Sequence, residues 1–335
     1  MPTANNILNS QNNGLQSLAS IVPVVFVLIF ALCAFIFPTS LHAEPADKKI
    51  LIVSKKTQGY SLQLINNLQA SLIASGYQSQ TLTLASENKI GALELLKIKK
   101  QDLIISIGSL STQLLLDEKI ETPILSALIP RHVYLSLKKS YPAKRNWSSL
   151  LINQPIDRQF HLITAVLGKH KDIAVLLGPY TKDLNKKLNR ASARTSHKIN
   201  IEEIKDSGQL TESLNSLNHS VDVLLTLPDP LVYNKSTIRE ILLSAYRNKL
   251  PIIGFSRSYV KAGAIAAIYS KPEQISHQIS DIVSDYFKTN RFKNKKYYPV
   301  EFSVALNKNI ARSLGIKLVS DNAIIKQIKK AEKNK

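Results

Sequence analysis

Two stretches of the chain, Lys48–Ile129 and His170–Phe255, repeat one layout: strand, helix, strand, helix, strand, helix, strand. The first copy places its strands at KILIV (Lys49–Val53), SQTLTL (Ser79–Leu84), DLIISI (Asp102–Ile107) and PILSALI (Pro123–Ile129). The second places them at DIAVLL (Asp172–Leu177), KINIEEI (Lys198–Ile204), VDVLLTL (Val221–Leu227) and PIIGF (Pro251–Phe255). Apolar runs without alternation belong to strands covered on both faces, as in parallel sheets flanked by helices. The expected fold is therefore α/β, with two Rossmann-like lobes. Open parallel sheets take ligands at the carboxyl ends of their strands. Two such edges facing one cleft describe a binder.

The chain has 335 residues, enough for two domains of ordinary size. Residues 1–43 are not counted among them. Ile21–Phe37 is an apolar run, followed by Leu41-His42-Ala43 and then an abruptly charged stretch. That is the form of a secretory signal peptide, although Met1–Ser20 carries no Lys or Arg. A retained N-terminal membrane anchor is the alternative, since about 17 apolar residues is the short end of a span. Either reading places the body of the protein in the periplasm. The single cysteine, Cys33, lies inside the apolar run behind Leu32, which is not the small residue a lipoprotein signal wants. A mature chain without it has no disulfide or thiolate chemistry.

The net charge is +20. Lysines gather at Lys293–Lys296 and from Lys326 to Lys335. Such charge favours acidic partners, an anionic membrane surface among them, or simply keeps a lysine-rich surface solvated. No nucleic-acid-binding motif is present, and nucleic acid is not an expected partner.

Between and after the repeats the chain has to connect the lobes. SSLLIN (Ser148–Asn153) is the expected first crossover, leading into a helix over Asp157–Gly168. Lys261–Tyr269 looks like a further strand, and Ser270 caps a long helix from Lys271 to about Lys288. VEFSVAL (Val300–Leu306) and a helix at Lys308–Leu314 follow, then a peripheral amphipathic helix in Asp321–Lys335. Ala262–Lys288 is expected to return to the first lobe and Val300–Gly315 to the second. The first lobe would then hold residues 48–150 plus 259–292 and the second 151–258 plus 297–318, with a basic tail over 319–335. Three strands crossing between lobes make a hinge.

Several stretches resemble the type I periplasmic solute-binding proteins, in the branch of ABC-transporter substrate-binding proteins. They are QPIDRQFHLI (Gln154–Ile163), VDVLLTLPDP (Val221–Pro230), LPIIGFSRSYVKAGAIAAIYSKPEQISHQ (Leu250–Gln278) and VALNKNIARSLGI (Val304–Ile316). The resemblance implies a small-molecule solute held between two lobes and delivered to an ABC permease in the inner membrane by a monomeric protein. It does not name the solute. Pro130-Arg131-His132, where amino-acid-binding relatives tend to carry a small polar or acidic turn, speaks against an amino acid and could suit an anion. A sensor or adaptor regulating a membrane signalling protein is the alternative use of the same fold.

Candidate ligand-binding residues lie just past the strand ends. They are Ser54, Gly108, Ser109, Arg131, Asp229 and Ser256, with Tyr60, Tyr180, Tyr233 and Tyr269 as aromatic walls. Ser109 opens a helix whose amides could hold an anion, or it merely caps that helix. Asp229 lies between two prolines, where a turn role and a ligand role are both open. No catalytic or metal-binding residues and no cofactor are expected. The seven histidines are scattered, the eleven glycines form no dinucleotide fingerprint, and no Gly-x-Ser-x-Gly elbow is present.

Overall fold

The computed structural model describes residues 48–333 except 56, 87, 143–145 and 218–219, so the expected export segment lies outside the described residues. The strands are β1 (Lys49–Ser54), β2 (Gln78–Thr83), β3 (Leu103–Ile107), β4 (Ile124–Ile129), β5 (Trp147–Leu151) and β6 (Asp172–Leu177). They continue as β7 (Lys198–Glu203), β8 (Val223–Leu225), β9 (Ile252–Gly254), β10 (Ala266–Tyr269), β11 (Lys296–Tyr297) and β12 (Ser303–Leu306). Two six-stranded sheets result, ordered β11-β5-β4-β3-β1-β2 and β12-β10-β9-β8-β6-β7. Every pairing is parallel except that of β10 with β12.

The helices of the first repeat and its exit are α1 (Tyr60–Ala74), α2 (Ala92–Lys99), α3 (Ser109–Asp117), α4 (Arg131–Ser140) and α5 (Ile156–Leu167). The second repeat supplies α6 (Asn185–Arg194), α7 (Leu210–Ser216), α8 (Ile238–Arg247) and α9 (Arg257–Ala262). Then come α10 (Pro272–Thr289), α11 (Lys308–Ser313) and α12 (Asp321–Lys333). The unbroken apolar runs now have their reason. In β1, Ile50 and Ile52 enter one core cluster while Leu51 and Val53 enter another on the opposite face. In β6, Ile173, Val175 and Leu177 face one cluster, and Ala174 and Leu176 the other. Each sheet thus buries both faces.

The connections differ from expectation in four places. Ala266–Tyr269 stays in the second sheet, parallel to β9, and only α10 crosses back, packing Ile275, Ile279, Ile282, Val283 and Tyr286 on the first lobe. The run KAGAIAAIY has the composition of a buried strand, which either sheet could accept. Tyr297 pairs with Leu150 in the first sheet rather than belonging to the second lobe. Trp147–Leu151 is a full strand of the first sheet, so the crossover comes after it. The last helix is not peripheral: Ile324 and Ile328 of α12 are fully buried in the second lobe's core. Their i, i+4 spacing makes one narrow stripe, too short in the sequence to show how deeply it is covered.

The chain passes between lobes three times, after β5, after β10 and between β11 and β12. A polar network laces the three passes. Gln154 Nε2 donates to Ser270 Oγ (2.8 Å), which donates to the Glu301 carbonyl (2.7 Å). Arg158 NH1 donates to Gln154 Oε1 and to the Pro299 carbonyl, both at 2.8 Å, and NH2 reaches the Val300 carbonyl at 3.2 Å. The same guanidinium lies 4.3 Å from the Phe302 ring centroid and pairs with Glu332 of α12 (2.7 Å).

One histidine ties acid sensitivity to this fold. The Lys171 backbone N–H donates to His197 Nδ1 (3.1 Å), and His197 Nε2 meets the Thr164 hydroxyl at 2.8 Å. An accepting Nδ1 requires the neutral ring. Burial, and then the neighbouring charges of His170, Lys171 and His161, hold the pKa of His197 below the ordinary histidine value. A folded-state pKa depressed below the unfolded one, about 6.5, gives stability that is present above that pH and lost progressively below it, as the pH falls through the folded value. We expect the melting temperature to fall on acidification below about pH 6.5, and His197→Gln to flatten that fall. An equal acid slope in both proteins would contradict this.

Candidate functional site

A cavity of about 780 Å³ opens at the carboxyl ends of the strands, between the lobes. The first lobe reaches it through Pro130, Arg131, His132 and Tyr298; the crossover supplies Ile152–Asp157 and Gln159; the second lobe supplies the turns after β6, β8 and β9 and the outer face of α6. A bulge at the end of β4 precedes the first of these turns, with Leu128 at a positive φ of 58° and the register shifting between Ala127 and Ile129. A bulge bends its strand and re-aims the residues beyond it. Here those residues are Pro130, Arg131 and His132, which the bend turns toward the cavity.

Two contacts bridge the lobes at the cavity. Arg131 of the first lobe donates from NH1 to Asp183 Oδ1 of the second (2.8 Å) and from NH2 to Oδ2. Burial works against the Arg131 charge, but Asp183 outweighs it and holds the pKa above its ordinary value. Beside this pair the His132 ring lies 5.2 Å from that of Tyr180, centroid to centroid. Burial lowers the pKa of His132, with Asp229 opposing. Asp183 is about half exposed, so the pair contributes about 1 kcal/mol to closure. Arg131→Ala is expected to enlarge the radius of gyration of the ligand-free protein in solution scattering. A double-mutant cycle with Asp183→Ala should show coupling of about 1 kcal/mol. Unchanged scattering and full additivity would remove the latch.

Asp229 sits 1% exposed in the Pro228–Pro230 turn, and its carboxylate faces inward. Oδ2 accepts from the Tyr180 N–H (3.0 Å) and the Thr181 hydroxyl (2.9 Å), and Oδ1 from the Leu231 N–H (3.0 Å). It props the turn after β6 against the turn after β8. Gly178 is the counterpart: a Cβ there would lie 2.4 Å from Asp229 Oδ1.

Of the residues singled out in the sequence, Arg131, Tyr180, Asp229, Tyr233 and Ser256 line the cavity. Ser54, Tyr60, Gly108, Ser109 and Tyr269 do not. Ser54 is buried at the end of β1. Tyr60 donates its hydroxyl to the Ser270 carbonyl (2.9 Å), so it braces the second crossover, one residue after Tyr269. Gly108, at φ 94°, precedes α3, and its carbonyl accepts from the Ser111 and Thr112 hydroxyls; Ser109 is the first residue of the helix and not its cap. Ser256 caps α9, accepting from the Tyr259 N–H. Tyr233 packs edge-on against Phe255 and Tyr259, and burial pushes its phenol well above the usual tyrosine range.

Sequence reasoning missed Gln159, which is 3% exposed, lines the cavity and has no partner for Oε1 among the described residues. It also missed Lys187 and Arg190 on α6, Lys235 and the wall residue Phe255. Arg190 and Lys187 are three apart on one helix face, a signal that only a known cleft turns into a site. Among the described residues no cluster of His, Cys, Asp and Glu suits a metal, and no helix is long and apolar enough to cross a membrane.

Paired α/β lobes, crossed by three chain segments and enclosing a cavity at their strand ends, define a two-lobed solute-binding architecture. Residues 60–331 match the profile of the ABC transporter substrate binding protein family, and the chain belongs to that family. No curated protein matches. Among solved structures the chain is similar to a ligand-free, open substrate-binding protein with adhesive properties from Clostridium difficile, with TM-score 0.61, 18% identity and coverage of 82% of this chain and 97% of that one. It is also similar to an ABC domain in complex with L-Trp from Streptococcus pneumonia, with TM-score 0.55, 15% identity and coverage of 84% and 98%. A conserved domain protein from Vibrio cholerae has TM-score 0.55 and 21% identity over 84% and 98%. At these identities the likeness concerns the fold.

Proposed function

We propose that the protein is exported to the periplasm, captures one small solute between its lobes and presents it, as a monomer, to an ABC permease. The observation that carries this is the 780 Å³ cavity bordered by both lobes and bridged by Arg131–Asp183 and His132–Tyr180. That volume suits a small organic molecule. A ligand that touches both walls binds the closed arrangement better than the open one, and this difference moves the hinge. The membership in a substrate-binding family supports the same reading. The test is a melting-temperature screen of natively purified protein against amino acids, sugars, organic acids and inorganic ions, with mass spectrometry of whatever co-purifies. A saturable upward shift is the expected result. No shift from any class and nothing bound would overturn the proposal.

A further inference from the structure

Resting on that reading, we infer that the solute is an organic carboxylate with an apolar body and no ammonium group. The wall holds five cations, Arg131, Lys187, Arg190, Arg194 and Lys235, against two carboxylates, Asp157 and Asp229. Both carboxylates are already engaged within the protein. Asp229 spends its oxygens on Tyr180, Thr181 and Leu231, and Asp157 pairs with Arg194 at 3.3 Å. Asp183, at the rim, is taken by Arg131. A zwitterionic amino acid would bring an ammonium group that finds no unpaired acid in the wall. Desolvating a charge without a partner is costly.

Four of the neutral polar side chains are engaged as well. Gln154 bonds Ser270 and Arg158, Asn234 bonds the Pro230 and Leu231 carbonyls, Thr181 bonds Asp229, and Ser256 caps its helix. A sugar needs a partner for each buried hydroxyl, and this wall has few to offer. Tyr180, Phe255, Leu227, Pro228 and Ile156 instead present apolar surface. Three buried groups of the wall are unspent: Arg131 Nε, the Tyr233 hydroxyl and the Gln159 carboxamide, whose oxygen lacks a partner and which can turn over to offer its NH₂. Arg131 Nε, the Tyr233 hydroxyl and the turned Gln159 amide are donors that a carboxylate would satisfy.

A second observation supports a positive field at this mouth. Lys296 has a lowered pKa from burial and then from the nearby charges of Lys187, Arg131 and Lys138, with Asp183 alone opposing. Those cations crowd one another around a single acid. An anion entering there relieves the crowding.

The experiment measures calorimetric affinity of the full chain for hydrocinnamate, phenylalanine and hydrocinnamyl alcohol, which share one phenylpropyl body as anion, zwitterion and neutral molecule. Benzoate and octanoate extend the anionic arm to other bodies. A carboxylate is expected to bind at least tenfold tighter than its zwitterionic and neutral counterparts and to weaken as salt rises. The double variant Lys187→Gln, Arg190→Gln should lose roughly three- to tenfold for the carboxylate and little for the alcohol. Tighter binding of phenylalanine or of the alcohol overturns the carboxylate assignment, as does an amino acid or sugar as the hit of the wider screen, while leaving solute capture intact. Silence from carboxylates together with every other class overturns both.

Discussion

Arg158→Met is expected to lower the melting temperature by about 5–8 °C, the largest single effect in the molecule. Arg158 is 5% exposed, and its guanidinium touches the first crossover, the third crossover and α12 together. Removing it leaves the Gln154 amide oxygen and the carbonyls of Pro299 and Val300 short of a donor and strands Glu332. Each orphaned acceptor costs about 1–3 kcal/mol when water cannot reach it, and methionine restores part of the packing against Phe302. A total of about 3–5 kcal/mol is expected. Glu332→Gln keeps an acceptor on a group that is a quarter exposed and should cost under about 1 kcal/mol. Equal melting points for Arg158→Met and the parent would show that the crossovers do not depend on this clamp.

Asp229→Ala comes second, with an expected loss of about 2–4 kcal/mol. The Thr181 hydroxyl and the Tyr180 and Leu231 amides lose their acceptor in a place 1% exposed. Thr181→Val removes one of those bonds and should cost about 1–2 kcal/mol. Gly178→Ala approaches the same carboxylate from the other side and should destabilise in the same direction, since its Cβ would meet Oδ1 at 2.4 Å. A loss of solute binding in Asp229→Ala with unchanged thermal stability would instead make the carboxylate a direct ligand contact.

These residues show what was readable in the linear chain and why the rest was not. The strands declared themselves because a sheet covered on both faces needs unbroken apolar runs, as Ile50–Val53 and Ile173–Leu177 provide. The strand ends declared themselves through turn residues, and Arg131, Tyr180, Asp229, Tyr233 and Ser256 do line the cavity. Position past a strand end does not reveal which neighbour a side chain will choose. Ser54 is buried at its strand end and Tyr60 braces a crossover. Arg158 and Gln159 lay within a stretch already noted, yet helical spacing alone could not separate a hinge clamp from a wall residue. The two are adjacent and point to different surroundings.

By itself the amino-acid order determined the duplicated α/β halves, because hydrophobic period and turn chemistry are local properties of a chain. It could not decide which sheet would accept Ala266–Tyr269, how deeply Ile324 and Ile328 would be covered, or which acid would answer Arg131. Those are contacts between residues far apart in sequence. They are settled only when packing selects one set of neighbours from many of similar composition, and only then does the charge of the cleft wall become countable.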